Sequence, residues 1–238
     1  MLLHGLGASG LAYFRIFPSL AQKLSAVYAL DFPGFGFSPL PSSGPLSLEE
    51  MAACAEALLG EVEAPAFLFG NSLGGALAAQ VASQNPQLVR ALCLWAPAGA
   101  RLSEEEAKAL SKLFEVTNAR QARALLRRVF VRAPWYAEWF AAFFVPMLGA
   151  PAVQALCESG LSRHVEAETL QKLYMPTLLV WGAQEKLLPA GGIDYFRQHL
   201  PKGAVVVEAK GFGHIPHWES PKKCMRLWWE FAQQQGLI

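Results

Sequence analysis

Hydrolysis by a serine needs a nucleophile, a base to take its proton and a group to orient the base. This chain offers candidates for each. Ser72 stands in Gly70-Asn71-Ser72-Leu73-Gly74-Gly75, between the apolar run at 66–69 and an alanine-rich stretch. A serine bracketed by glycines is either an ordinary strand-to-helix turn or a nucleophile held at the apex of a strained one. Of the five histidines, His214 falls in a glycine-rich turn at 211–216, after the apolar run at 204–207 and later in the chain than Ser72. His217 reads as already entering the next helix, so His214 is the better base on chain order and loop position. His164 and His199 have ordinary surface readings.

The orienting acid is expected at another strand end, between serine and histidine. Glu185, in Gly182-Ala183-Gln184-Glu185-Lys186, is the acid in that loop, and the next one, Asp194, falls in a helical pattern. After the run at 91–95 no carboxylate occurs until Glu104. The alternative for Glu185 is a surface glutamate beside a lysine. An oxyanion needs two backbone N–H groups aimed at one point. Leu73, next to the nucleophile, supplies one, and Leu6 in the early loop His4-Gly5-Leu6-Gly7 supplies the other. His4 itself reads as a brace for that loop.

The elements that must position these groups follow from apolar runs at 26–30, 66–69, 91–95, 177–181 and 204–207. They lack polar alternation, as strands buried on both faces do. Helical patterns lie between them, at 48–59 and from Gly75 onward. The expected fold class is therefore α/β, a mostly parallel central sheet with helices on both faces. Residues 99–172 break the alternation with helix formers, grouped charges and the aromatics Trp135, Tyr136, Trp139, Phe140, Phe143 and Phe144. They read as an all-helical insertion, dividing the chain into 1–98, 99–172 and 173–238. Its aromatics are either plain core or a substrate pocket, with Trp135, Trp139 and Phe143 as the pocket candidates.

Composition excludes several classes. Of 238 residues, 20 are Lys or Arg and 19 Asp or Glu, a formal charge of +1, which gives no electrostatic case for nucleic acid. Cys54, Cys93, Cys157 and Cys224 are far apart, with no C-x-x-C and no metal-ligand spacing. They read as reduced structural thiols of a cytoplasmic protein, with no cofactor or metal expected. The apolar stretch at 135–148, interrupted by Glu138 and Pro146, is shorter than the roughly 20 residues of a membrane span. Transient membrane-surface contact through the insertion stays open, and oligomeric state is not readable. The opening MLLHGLGASG lacks the basic region of a signal peptide.

Taken together, HGLGASG (4–10), LDFPGFGFS (30–38), GNSLGG (70–75), LLVWGAQEKLLP (178–189) and GFGHIPHWESP (211–221) resemble the α/β-hydrolase superfamily along nearly the whole chain. LLRRVFVRAP (125–134) and LCLWAPAGA (92–100) are similar to lid-bearing, monoacylglycerol-lipase-like esterases. The resemblance implies that 99–172 is the cap and that Asp31 and residues 33–36 form a structural loop. Two features depart from it. The acid position, usually aspartate, is Glu185, and the two strands that normally precede the HG loop are lacking, so a preceding segment is expected. The implied activity is serine hydrolysis of small-molecule carboxylic esters with apolar acyl or aromatic groups, through Ser72, His214 and Glu185. A carbon–carbon bond hydrolase of the ring-cleavage-product type shares this machinery, and a silent ligand receptor on the same fold is the non-enzyme alternative.

Overall fold

The computed structural model describes residues 1–62, 65–132, 135–159, 161 and 163–238, without the side chains of residues 135–138 and 140. Its strands are β1 (Leu2–Leu3), β2 (Ala29–Leu30), β3 (Ala66–Asn71), β4 (Val89–Trp95), β5 (Thr177–Gly182) and β6 (Val205–Ala209). They form one sheet in the order β2-β1-β3-β4-β5-β6, and every pairing is parallel. The apolar runs separate residue by residue, as a pleated strand requires. Leu68, Leu92, Leu94 and Leu179 point into one core, and Phe67, Phe69, Ala91, Cys93, Trp95, Leu178 and Val180 into the other. Both faces are buried, and helices cover both.

The connecting helices are α1 (Phe17–Ala21), α2 (Leu48–Gly60), α3 (Leu73–Gln84), α4 (Glu104–Leu113), α5 (Ala119–Val129), α6 (Trp135–Leu148), α7 (Pro151–Ser159), α8 (Ala167–Gln171), α9 (Gly192–His199), α10 (Pro216–Glu219) and α11 (Pro221–Gln234). Two starts are written in the sequence as capping boxes. Ser47 accepts from the Glu50 amide while Glu50 accepts from the Ser47 amide, and Ser103 and Glu106 repeat the pattern. Met51, Leu77 and Ala78 pack in the first core, Leu20, Trp228 and Phe231 in the second. Between β4 and β5 the described elements are the five helices α4 to α8, and Leu110, Phe114, Leu125 and Leu126 join the first core.

Two strand expectations change. The run at 26–30 contributes only Ala29–Leu30, because its partner β1 is two residues long and offers pairing only at Leu2 and Leu3. β1 itself is too short to leave a periodic signal. β6 runs on to Ala209, past the apolar stretch, as an edge strand whose residues 205–207 are only half-buried. Among the described residues no single helix is long and apolar enough to cross a membrane, though Ala141–Leu148 and Pro151–Ser159 pass that test as a pair bent by 63°.

Candidate active site

β3 ends at Asn71 and α3 begins at Leu73, so Ser72 alone makes the turn. Its backbone has φ 54° and ψ −121°, a conformation L residues avoid and hold only where the surroundings over-determine it. They do so here. The Ser72 amide donates to the Trp95 carbonyl (3.2 Å), and the Ser72 carbonyl accepts from Gly75 (2.9 Å), Ala76 (3.1 Å) and Ala98 (2.9 Å). The bracketing glycines are needed for space. A Cβ on Gly70 would run into the Gly74 carbonyl, and one on Gly74 into the Leu3 carbonyl of β1. Helix and sheet therefore touch backbone to backbone at the serine.

Glu185 leaves the end of β5 in a turn closed by its own amide on the Gly182 carbonyl (3.0 Å). The next amide back, Gln184, donates to Phe212 (3.0 Å), tying this loop to the one that carries His214. Between them His214 Nδ1 lies 2.9 Å from Glu185 Oε2, each side chain only 4% exposed. Glu185 Oε1 accepts from the amides of Leu187 (2.7 Å) and Leu188 (3.1 Å). Burial alone would raise the Glu185 pKa. The adjacent imidazole and the two amides overcome that and hold it below its ordinary value, so the carboxylate stays ionised. An imidazole whose Nδ1–H is engaged on a carboxylate has Nε2 as its unprotonated nitrogen.

Asn71 is a participant whose only signal in the sequence is its place in the turn. Its side-chain amide donates to the carbonyls of Trp95 and His214, both at 2.9 Å, stapling the His214 loop to the end of β3.

The early loop is braced from below. His4 is buried, its Nδ1 is 2.9 Å from the Gly5 carbonyl, and its Nε2 accepts from the Phe32 amide at 3.3 Å. Burial lowers its pKa, consistent with a neutral ring using both nitrogens structurally. Asp31 accepts from Gly10 (2.6 Å) and Phe37 (2.9 Å), so it closes loops away from the serine. Leu73 is the first residue of α3, and its N–H has no acceptor within that helix.

Two cavities meet at Ser72, and Leu6, Phe114 and Leu187 also line both. One, of about 280 Å³, runs along Leu73, Ala76, Leu77, Ala98, Leu102 and Leu110 to a polar end at Glu49, Arg163 and His164. The other, of about 260 Å³, lies beneath α5 and α6 and holds His214, with walls from Leu125, Leu126, Val129, Phe130, Phe144 and Met147. Of the aromatic pocket candidates, the Trp135 side chain lies outside the described residues. Trp139 and Phe143 stand on the outer face of α6, 79% and 74% exposed, while Phe144 and Met147 from the same helix face the cavity. Composition identified the helix but not its inward face.

His217 is buried with its ring against Trp95 (5.4 Å, 27° between planes) and Tyr13 (4.6 Å), and its Nδ1 has no hydrogen-bond partner. Burial, with a smaller contribution from His214, pushes its pKa down to about 3. His164 pairs with Glu166 (3.1 Å) and His199 bonds to the Tyr195 carbonyl (3.1 Å). All four cysteines are free thiols. Among the described residues no cluster of His, Cys, Asp and Glu is arranged to hold a metal ion.

A buried carboxylate–imidazole pair and a strained serine opening on one cavity can generate a nucleophile and return a proton to a leaving group. Comparison with known proteins points the same way. The chain is 29% identical over 248 residues to a pimeloyl-[acyl-carrier protein] methyl ester esterase of Neisseria meningitidis, covering 98% of this chain and 92% of that one. It is 27% identical to the enzyme of that name from Aeromonas hydrophila, over 95% and 92% of the two chains. Among solved structures, a bacterial membrane phospholipase A superposes with a TM-score of 0.79 at 28% identity, over 98% of this chain and 77% of the other. Residues 1–221 match the family model described as the alpha/beta hydrolase fold, and with this sheet, this elbow and these relatives the chain belongs to that family.

Proposed function

We propose that this chain is a serine carboxylic ester hydrolase. The observation that carries the reading is His214, paired with buried Glu185, lining the same cavity as the strained Ser72. His214 Nε2 takes the Ser72 hydroxyl proton as Oγ forms a bond to the ester carbonyl carbon, and the carbonyl π electrons move onto oxygen. The resulting oxyanion is held by the N–H groups of Leu73 and Leu6. Glu185 keeps the ring's Nδ1–H in place and stabilises the imidazolium. As the tetrahedral adduct collapses, the C–O bond to the alcohol breaks and His214 gives it the proton. Water then repeats the sequence on the acyl-enzyme, releasing the acid and restoring Ser72.

Two cavities at one serine fit an ester with a limb on each side of the carbonyl. Volumes of about 280 and 260 Å³ lie at the lower edge of the roughly 300–1,000 Å³ usual for small-molecule sites. They favour acyl groups of modest length over long lipid chains. The relatives' names record a methyl ester of a carrier-bound acyl group, and a small alcohol as leaving group is the class we extend to this chain. Residues 99–172 act as the cap, since α4, α5 and α6 supply walls to these cavities.

A fluorophosphonate probe should label the protein and fail to label Ser72→Ala. A nitrophenyl-ester panel should then show turnover that peaks at short or medium acyl length. Negligible rates across the panel would overturn the reading in favour of a ligand receptor, and preferential cleavage of a dienoate ring-cleavage product would favour carbon–carbon hydrolysis.

A further inference from the structure

The end of α5 touches both loops that carry the acid and the base. Helix α5 stops at Val129, and Phe130 is extended (φ −97°, ψ 145°), so the groups that follow have no helical partners. They are used instead across the site. The Val129 carbonyl accepts from the His214 amide (3.2 Å). Arg128 donates to the carbonyl of Lys186, the residue after Glu185 (3.2 Å), and Lys186 Nζ reaches back to the Val131 carbonyl (3.4 Å). The amide of Val131 donates to Glu219 Oε1 at 2.7 Å. Residues 128–131 thus form a strap laid over the acid loop on one side and the base loop on the other.

Glu219 anchors the strap. It follows His214 by five residues, at the end of α10, so its carboxylate binds the strap to the base's own segment. The approach is close. A Cβ on Gly213 would sit 3.0 Å from Glu219 Oε2 and 3.2 Å from the Val131 nitrogen. A glycine beside the base is what lets strap and carboxylate meet there.

We propose that Glu219 is a positioning residue: by holding the Val131 amide it keeps the strap seated, and the strap keeps the His214 and Glu185 loops in register. This rests on the esterase reading above. It makes the helices between β4 and β5 part of the proton-transfer geometry rather than only a cover for the substrate. Misplacement of a general base by a fraction of an ångström lowers turnover without touching the binding walls.

The test compares Glu219→Ala, Glu219→Gln and Val131→Pro with the wild type on a short nitrophenyl ester. Labelling of wild type but not Ser72→Ala by a fluorophosphonate first establishes the esterase reading independently. Glu219→Ala is expected to lower kcat roughly tenfold with KM within about twofold. Glu219→Gln, which keeps an oxygen acceptor for the Val131 amide, should recover most of that loss. Val131→Pro removes the donor from the other side, and combining it with Glu219→Ala should cost no more than Glu219→Ala alone. The low-field proton resonance of the His214–Glu185 bond should weaken in Glu219→Ala and return in Glu219→Gln. Unchanged kcat and resonance in Glu219→Ala would overturn the proposal. So would a rise in KM alone, or equal losses in the alanine and glutamine variants. If Glu219→Ala does not fold, Glu219→Gln and Val131→Pro decide it: near-wild-type kcat in the proline variant refutes the strap.

Discussion

His214 Nδ1 and Glu185 Oε2 lie 2.9 Å apart, both side chains 4% exposed, with the second carboxylate oxygen held by the amides of Leu187 and Leu188. The longer arm of glutamate is accommodated because its far oxygen has backbone donors of its own. Glu185→Gln should lower kcat/KM on the order of a thousandfold or more, since an amide can hold the wrong tautomer of the ring. Glu185→Asp shortens the arm by one methylene and must give up either the imidazole or the two amides. A loss of roughly 10- to 100-fold is expected, read from steady-state rates.

The strain at Ser72 has a stability signature separate from its chemistry. Ser72→Ala keeps φ 54° with a Cβ in place, whereas Ser72→Gly relieves it. Both should be inactive, and urea unfolding should find the glycine variant more stable than the alanine one by about 1 kcal/mol.

His217 sets an acid limit. Its pKa is pushed down to about 3 by burial, against the ordinary 6.5. Unfolding frees the ring to bind a proton below pH 6.5, so the folded state loses stability as pH falls from about 6.5 toward 3, with nothing lost above that window. His4, also lowered by burial, contributes in the same sense. Replacing His217 by Phe should shrink the difference in unfolding free energy between pH 8 and pH 5 by at most about 2 kcal/mol. Urea titrations at the two pH values measure it.

The cavity along α3 can be narrowed without touching Ser72. Ala76 lines it, and a Cβ on Gly99 would lie 3.3 Å from the Ala76 methyl, which marks how tight that wall is. Ala76→Phe should therefore shift the acyl-length optimum on nitrophenyl esters downward and spare acetyl ester turnover to within about threefold. An unchanged profile would place the acyl group in the other cavity.

Much of this architecture is legible in the chain, for identifiable reasons. Strands buried on both faces leave uninterrupted apolar runs, so β3, β4 and β5 stand out. That Ser72, Glu185 and His214 each follow a strand is legible from the apolar runs before them, here the ends of β3, β5 and β6. Pairing in β1 and β2 was not, because two residues carry no period. The inward face of α6 was hidden too: Trp139 and Phe143 are no less apolar than Phe144 and Met147, and only packing separates them. Leu125, Leu126 and Val129 look like the core stripe of any amphipathic helix, and nothing in their spacing says that one side of that stripe is a cavity.

Asn71 spends both side-chain hydrogens on carbonyls, one of them 143 residues further along the chain. That hydrogen bond closes a loop of more than half the chain, so the end of β3 gains its second anchor only when the residues up to His214 have been made. On the esterase reading proposed above, a chain that stops short of this loop has no base for Ser72.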